Sequence, residues 1–354
     1  MTILIMAGGS GERFWPLSTR ERPKQLLRLA DPEKSLIQMT VERVAPLVPF
    51  ERIFIATNAI QAPAVKEELP EIPAQNIIIE PAFKDTAAAI GFASLIIDNM
   101  FPNSIIAVLA SDHLIKKEEE FRKVLQFSAF KAEQEEAIVT LGIQPTYPET
   151  GYGYLEVTNS IPNHNSTSDS YEAVKVVRFC EKPALALANQ YVNGRRHLWN
   201  SGMFIFKTSI MMEAIKTYLP NHFFTLQKIA ELKDQVRNPD NATLKELFNS
   251  FDKISIDFGV MEKYHKTLVV PVNLGWNDIG SYPALADIFP GNKNNSVIIG
   301  TEAKEVDSLN NIVISSTGKK ISMLGIQDLI VVETPDNILI CTKSQAQNIK
   351  KLVE

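Results

Sequence analysis

The chain has 354 residues, 45% of them hydrophobic and 22% charged, with a net charge of −5 and an isoelectric point near 5.7. This fits one large or two ordinary globular domains with a sizeable core, and it argues against a nucleic-acid partner while leaving room for a local basic cleft. Cys180 and Cys341 lie far apart, with no metal spacing and no disulfide framework, so a reducing cytoplasm is expected. The apolar start is too short for a secretory signal and lacks a basic segment, and no apolar run approaches the ~20 residues of a membrane span, so no membrane partner is expected.

Residues 3–6, 52–57, 76–80, 105–109 and 137–141 are short, continuous apolar runs, as expected for strands buried on both faces of a parallel sheet. Amphipathic stretches lie between them. Residues 35–44 put Leu36, Ile37, Thr40, Val41 and Val44 on one helical face, and residues 85–98 open on a cap-type aspartate and continue through alanines as a buried helix. The βαβα order implies an α/β fold: an open, mainly parallel, Rossmann-like sheet with helices on both faces. After Thr150, strand-like residues 153–157 and 171–180 flank the polar segment 161–170, read as an exposed, mobile loop. Residues 208–249 read as helical, and 267–272 as a strand. From about Pro290 the pattern becomes short β runs (296–300, 311–315, 321–324, 329–334, 338–342) separated by turns, which points to a second, all-β module. No exact repeat marks it as a β-helix. The tail, 344–352, reads as helical.

The densest chemistry follows the first strand, in Ala7-Gly8-Gly9-Ser10-Gly11-Glu12-Arg13-Phe14-Trp15-Pro16-Leu17-Ser18. Its glycines let backbone N–H groups approach phosphate oxygens, Arg13 adds a bidentate donor, and Lys24 adds a compact charge on a proline-stiffened turn. The alternative is a plain glycine turn after a strand. Gly-Lys-Ser/Thr is missing, so this is not a P-loop. The G-G-x-G spacing is not the dinucleotide fingerprint, which opposes a Rossmann oxidoreductase.

This segment, with Arg22-Pro23-Lys24-Gln25 behind it, closely resembles the nucleotide-binding loop of nucleotide-sugar pyrophosphorylases, and its Phe-Trp-Pro-Leu-Ser and Pro-Lys-Gln pieces resemble those of mannose-1-phosphate guanylyltransferases. The resemblance continues in order through Glu80-Pro81, Asp85-Thr86-Ala87, Ser111-Asp112-His113, Glu181-Lys182-Pro183, Trp199-Asn200-Ser201-Gly202, Ser255-Ile256-Asp257-Phe258-Gly259 and Trp276-Asn277-Asp278-Ile279-Gly280, covering about residues 1–285. It implies a nucleotidyltransferase catalytic domain over 1–288 and a small C-terminal β-helix over 289–354. It also implies Mg²⁺ as cofactor, GTP and mannose 1-phosphate as substrates, and a homodimer as one allowed assembly. Carried over residue by residue, Ala7, Gly8, Gly9, Ser10, Gly11, Glu80, Asp85, Thr86 and Ser111 would bind the nucleotide, and Arg13, Lys24 and Lys182 would be catalytic. Gly153, Glu181, Asn200 and Asp257 would contact the sugar, and Asp112 and Asp278 would hold the metal.

These assignments also make physical sense. Asp112 follows the run 105–109, at the carboxyl end of a presumed parallel strand, where ligands bind in open α/β sheets. A carboxylate facing a phosphate loop needs a cation between them. Two carboxylates plus phosphate oxygens and waters suit octahedral Mg²⁺. Either aspartate alone would also serve as a cap or turn residue, and His113 reads as a structural neighbour. Lys182 would neutralise the sugar phosphate and Glu181 and Asn200 would meet sugar hydroxyls. Asp257 would be a further contact or the cap of a helix over 258–263. The family's Asn-Thr-Ala-Pro-Ala is here Asp85-Thr86-Ala87-Ala88-Ala89. A carboxylate near the base accepts both N1–H and the 2-amino group of guanine and is poor for adenine, although Asp85 could equally cap its helix. Rival readings are another base or sugar 1-phosphate, and a non-catalytic nucleotide-sugar sensor, which the retained Arg13, Lys24, Asp112, Lys182 and Asp278 disfavour. Some relatives carry a cupin-type isomerase domain. The chain ends too soon for one, so no phosphomannose isomerase activity is expected.

Overall fold

The apolar runs of the first 272 residues assemble into one twisted sheet in the computed structural model, which describes residues 1–9, 11–158 and 171–353. Its nine strands are β1 (Thr2–Met6), β2 (Ile53–Asn58), β3 (Ile77–Glu80), β4 (Ile105–Ala110), β5 (Ile138–Ile143), β6 (Tyr154–Val157), β7 (Val174–Cys180), β8 (His197–Lys207) and β9 (Thr267–Val272). They lie in the order β3-β2-β1-β4-β8-β5-β9-β7-β6. The pairings β1–β2, β2–β3, β1–β4 and β5–β9 are parallel, and β8 is antiparallel between β4 and β5. β7 runs against both β6 and β9, so seven strands share one direction and β7 and β8 oppose it.

Alternation along β1 divides the core. Leu4 faces one layer with α3 (Asp85–Met100) and three later helices, while Ile3 and Ile5 face α1 (Leu36–Val44), α2 (Ala62–Glu68), α4 (Glu118–Gln134) and α5 (Leu185–Gly194) on the other side. The later helices are α6 (Thr208–Tyr218), α7 (Pro220–Ala230) and α8 (Ala242–Asn249), where the sequence suggested one helical stretch. Both faces are therefore covered, which is why β1, β2 and β4 read as unbroken apolar runs. The expected mobile loop 161–170 lies outside the described residues.

From residue 297 the chain coils instead of alternating. β10 (Val297–Ile299), β12 (Ile312–Ser315) and β14 (Leu329–Glu333) stack in parallel, as do β11 (Ala303–Val306) and β13 (Ile321–Leu324), and β15 (Ile338–Thr342) closes antiparallel on β14. Hydrogen bonds from the Asn311 backbone to Ser296 Oγ and from the Leu329 backbone to the Asn311 side chain span 15 and 18 residues, so the rungs differ in length and leave no exact sequence repeat. The tail forms tight helical turns over Lys343–Leu352 with Ala346 and Ile349 buried. These two residues join Phe14, Tyr282, Leu285, Ile312 and Ile330 in one cluster, so the glycine-loop region and the β-coil share a core.

Candidate active site

The strand order reverses direction at β1, with β2 on one side and β4 on the other, and a crevice opens at the carboxyl ends of these strands. Ala7, Gly8 and Gly9 leave β1 there, and Ser111 and Asp112 leave β4 there. Asp278 is brought to the same edge because Leu114 and Asn277 exchange backbone hydrogen bonds of 2.9 and 3.0 Å, tying the turn after β4 to the turn after β9.

Three cavities share this edge. The first, about 250 Å³, is lined by Gly8, Gly9, Gln25, Asn58, Glu80, Phe83, Asp85, Thr86, Ser111 and Asp112. Side-chain amides brace its glycine wall: Gln25 donates to the carbonyl of Ala7 (2.9 Å), and the buried Gln61 donates to that of Gly9 (3.0 Å). Ala7 lies fully buried behind the cavity, with its own N–H given to Ala56. Asp85 does not act as a distant cap. It is the first helical residue, at φ 68°, and its carboxylate takes the adjacent Thr86 N–H at 2.8 Å. Glu80 is 7% exposed, and burial followed by the nearby Asp85 charge pushes its carboxyl up to about 8. Thr86 Oγ1 accepts the Ile256 N–H, tying α3 to the segment that carries Asp257. The Ser111 carbonyl accepts from Thr40. Ser10 lies outside the described residues.

The second cavity, about 290 Å³, adjoins the first through Met6 and Thr86 and contains Tyr152, Gly153, Glu181, Lys182, Asn200, Asp257 and Asp278. A Cβ on Gly153 would collide with Glu181 Oε2, so only glycine lets that carboxylate lie flat against the strand. Asn200 Nδ2 donates to Asp257 Oδ1 at 3.0 Å. Asp257 opens a single π-helical turn, Asp257–Met261, in place of the expected helix, and its carboxylate points to Asn200. Burial, and then the Glu181 charge, raise it to about 6. Lys182, at φ 46°, holds its ammonium 3.4 Å from Glu181 Oε1 and is otherwise exposed.

The third cavity, about 390 Å³, contains Gly11, Glu12, Arg13, Lys24, Asp112, His113, Asp278, Gly280 and Lys350. Gly11 sits at φ 63°, with Lys24 backbone N only 2.5 Å from where a Cβ would be, so the turn depends on glycine. Arg13 Nη1 donates to the Gly280 carbonyl at 3.2 Å. Lys24 is 7% exposed and does not point freely into the cavity: its ammonium lies 2.7 Å from Asp112 Oδ2 and 2.5 Å from the Asp278 carbonyl. Burial alone would raise Asp112, but the Lys24 charge and the charge-assisted bond hold it below the usual carboxylate range. Asp278 Oδ1 accepts from Tyr152 Oη (2.7 Å) and Gly280 N (3.1 Å). His113 is lowered by burial, and its Nδ1 receives Trp276 Nε1 at 3.2 Å, so it braces the wall.

The structure thus gathers every described candidate residue along one edge, with Ala7 behind it. It adds Gln25, Asn58, Gln61, Phe83, Tyr152 and Lys350. Gln25 and Tyr152 stand next to marked residues, but no local pattern marks the other four.

Comparison with known proteins gives the family. The Nucleotidyl transferase model matches residues 2–295, and a MannoseP isomerase/GMP-like beta-helix domain model matches 302–354. Mannose-1-phosphate guanylyltransferase 2 of Escherichia coli O157:H7 is 36% identical over 362 residues, covering 99% of this chain and 72% of that protein. The xanthan biosynthesis protein XanB of Xanthomonas campestris pv. campestris is 36% identical over 357 residues, covering 99% of this chain and 72% of its own. A Thermus thermophilus crystal structure, described as a mannose-1-phosphate geranyltransferase, superposes with a TM-score of 0.85 at 31% identity, covering 99% of this chain and 98% of that one. The chain belongs to the nucleotidyl transferase family, with a C-terminal β-helix.

Proposed function

We propose that this protein transfers GMP from GTP to α-D-mannose 1-phosphate, giving GDP-mannose and pyrophosphate, as a mannose-1-phosphate guanylyltransferase. The observation that carries the reading is the continuity of the three cavities around Asp112 and Asp278: one framed by carboxylates suited to a guanine edge, one by sugar-type polar groups, and one by cations. The names of relatives at 36% identity, mannose-1-phosphate guanylyltransferases, support the same substrates.

In this reading a sugar-phosphate oxygen forms a bond to the α-phosphorus in line, and the bond to the β-bridging oxygen breaks, its electron pair leaving on pyrophosphate. The nucleophile is already anionic, so no general base is needed, and the barrier is repulsion plus leaving-group charge. Arg13 would face the triphosphate. Lys24 would hold Asp112 in place while sharing its remaining N–H with a phosphate. Lys182 would take the sugar phosphate. Glu181, Asn200 and Asp257 would fix the hydroxyls, and Gly8, Gly9 and Gly11 would present the chain closely to the nucleotide. Glu80, Asp85, Thr86 and Ser111 would line the nucleoside.

Asp112 and Asp278 would hold Mg²⁺. Each keeps one carboxylate oxygen, Oδ1 of Asp112 and Oδ2 of Asp278, with no side-chain partner among the described residues. The described residues offer no cluster of three or more His, Cys, Asp or Glu for a metal, so phosphate oxygens and water would complete a hard-oxygen shell. When bound, the ion would neutralise phosphate charge.

The catalytic domain is proposed as 1–288 and the β-helix as 289–354, placing the join just past the turn Tyr282–Asp287. The protein is proposed to act in the cytoplasm on small anions. A homodimer belongs to the same proposal, motivated by Ile338 and Ile340, 66% and 65% exposed on β15, and light scattering would test it. Pyrophosphate release over a panel of nucleoside triphosphates and sugar 1-phosphates tests the reaction. Asp278→Asn should lose most Mg²⁺-dependent turnover without unfolding. Preference for another pair of substrates, or a fully active Asp278→Asn, would overturn the corresponding assignment.

A further inference from the structure

Among the described residues the phosphate-side cavity contains three Lys or Arg side chains, Arg13, Lys24 and Lys350. Lys24 is already committed to Asp112 and the Asp278 carbonyl. Arg13 spends one N–H on Gly280. The ammonium of Lys350 takes no hydrogen bond or ion pair among the described residues, although it lines a cavity that also contains Glu12, Asp112 and Asp278. A triphosphate of about four negative charges would therefore meet one buried, pre-engaged lysine, one arginine and one uncommitted lysine.

The position of Lys350 is built into the fold. Ala346 and Ile349, each 2% exposed, anchor the helical tail against Phe14, Tyr282 and Leu285. Phe14 ends the turn that carries Glu12 and Arg13, so the tail's buried face clamps the loop while its next residue reaches the loop's cavity. Gln347, one turn earlier, lines the adjoining cavity with Arg13, Lys182 and Asp278. The sugar-side cavity includes neither residue.

We propose that Lys350 binds the pyrophosphate half of the nucleoside triphosphate, and so the leaving group, making the C-terminal tail a contributor to the active site. This rests on the reading above in requiring a triphosphate substrate. Its placement beside Gly11, Arg13 and Lys24, away from Glu181, Lys182 and Asn200, assigns it to the β- and γ-phosphates and not to the sugar phosphate.

The test is calorimetry of the full chain with inorganic pyrophosphate and Mg²⁺, for wild type, Lys350→Ala, Lys350→Arg and the neighbouring exposed Lys351→Ala. Lys350→Ala should weaken pyrophosphate binding about tenfold or more, as for loss of a charge-assisted hydrogen bond, while Lys350→Arg retains most of it and Lys351→Ala is unchanged. In the reverse reaction the KM for pyrophosphate should rise by a similar factor, with the KM for GDP-mannose within about twofold. Pyrophosphate binding by Lys350→Ala at wild-type strength would overturn the proposal, as would an equal loss for GDP-mannose or a wild type that binds no pyrophosphate. A wild type whose pyrophosphate binding depends on Lys350 but which turns over a different nucleotide sugar would overturn the substrate assignment and leave Lys350 in place.

Discussion

Lys24 Nζ lies 2.7 Å from Asp112 Oδ2, and this pair joins the loop after β1 to the end of β4. The ammonium holds Asp112 ionised against the burial that opposes it. Because the folded-state carboxyl lies below its unfolded value, this stability is present above that value and lost as pH falls through the depressed one. In Lys24→Ala burial becomes the largest influence left, opposed only by His113 and a backbone hydrogen bond, so Asp112 should rise, and stability should fall as pH rises from the unfolded value to the raised one. The variant should be destabilised by about 1–3 kcal/mol at pH 7, with the gap from wild type narrowing toward pH 4. Thermal melts across that range check it, and a constant gap would show that Lys24 acts elsewhere.

Tyr152 should tune the proposed Mg²⁺ site without touching the ion. Its hydroxyl donates to Asp278 Oδ1 at 2.7 Å, while its ring packs 5.3 Å from both Trp199 and Trp276. Tyr152→Phe keeps the ring and removes the donor. The Mg²⁺ concentration for half-maximal rate should rise about tenfold, with the melting temperature shifting by no more than about 2 °C. Unchanged metal activation would mean that the Gly280 N–H alone orients Asp278.

Asp257 should leave a pH signature on the sugar side. Its carboxyl is raised to about 6 by burial and by Glu181, so it ionises within the working range. Ionised, it accepts from Asn200 and, on the proposed reading, would also accept from a sugar hydroxyl. kcat/KM for mannose 1-phosphate should climb through pH 6 and level off above it. The sugar phosphate itself titrates near pH ~6, so the informative quantity is the ratio of wild type to Asp257→Asn. That ratio should rise about tenfold from pH 5 to 7.5, and a flat ratio would remove Asp257 from the sugar site.

Glu80 should behave in the opposite sense. Its carboxyl sits at about 8, above the unfolded value, so its ionisation costs stability as pH rises from the unfolded value to about 8. Glu80→Gln stays neutral. Its melting temperature relative to wild type should therefore climb by about 2–4 °C between pH 6 and 9. Parallel profiles for the two proteins would show that Glu80 is ionised throughout.

The sheet was legible wherever burial is two-sided. β1, β2, β4 and β9 announce themselves as apolar runs, and their observed limits differ by a residue or less from the sequence reading. β11 was not seen because Lys304 and Glu305 interrupt it on a half-exposed surface. The reversed direction of β8 was not encoded locally either: only packing between β4 and β5 fixes which way it runs. The site divides similarly. Gly8, Asp112, Lys182 and Asp278 stand in ordered motifs, whereas Phe83, Gln61 and Lys350 reach the edge only through tertiary folding, from segments with no distinctive composition.

Tyr282 donates its hydroxyl to the carbonyls of Phe14 (2.8 Å) and Trp15 (3.2 Å) within the cluster that also contains Ile312, Ile330 and Ile349. Opening the β-coil therefore strips the support from the turn bearing Arg13, and the two should exchange their amide protons as one cooperative unit. The coupling works in both directions. A nucleotide bound at Gly11 and Arg13, as proposed, would add RT ln(1 + [L]/Kd) to the stability of strands that it never touches, so slowed exchange in β12 and β14 would be a remote gauge of occupancy at the loop.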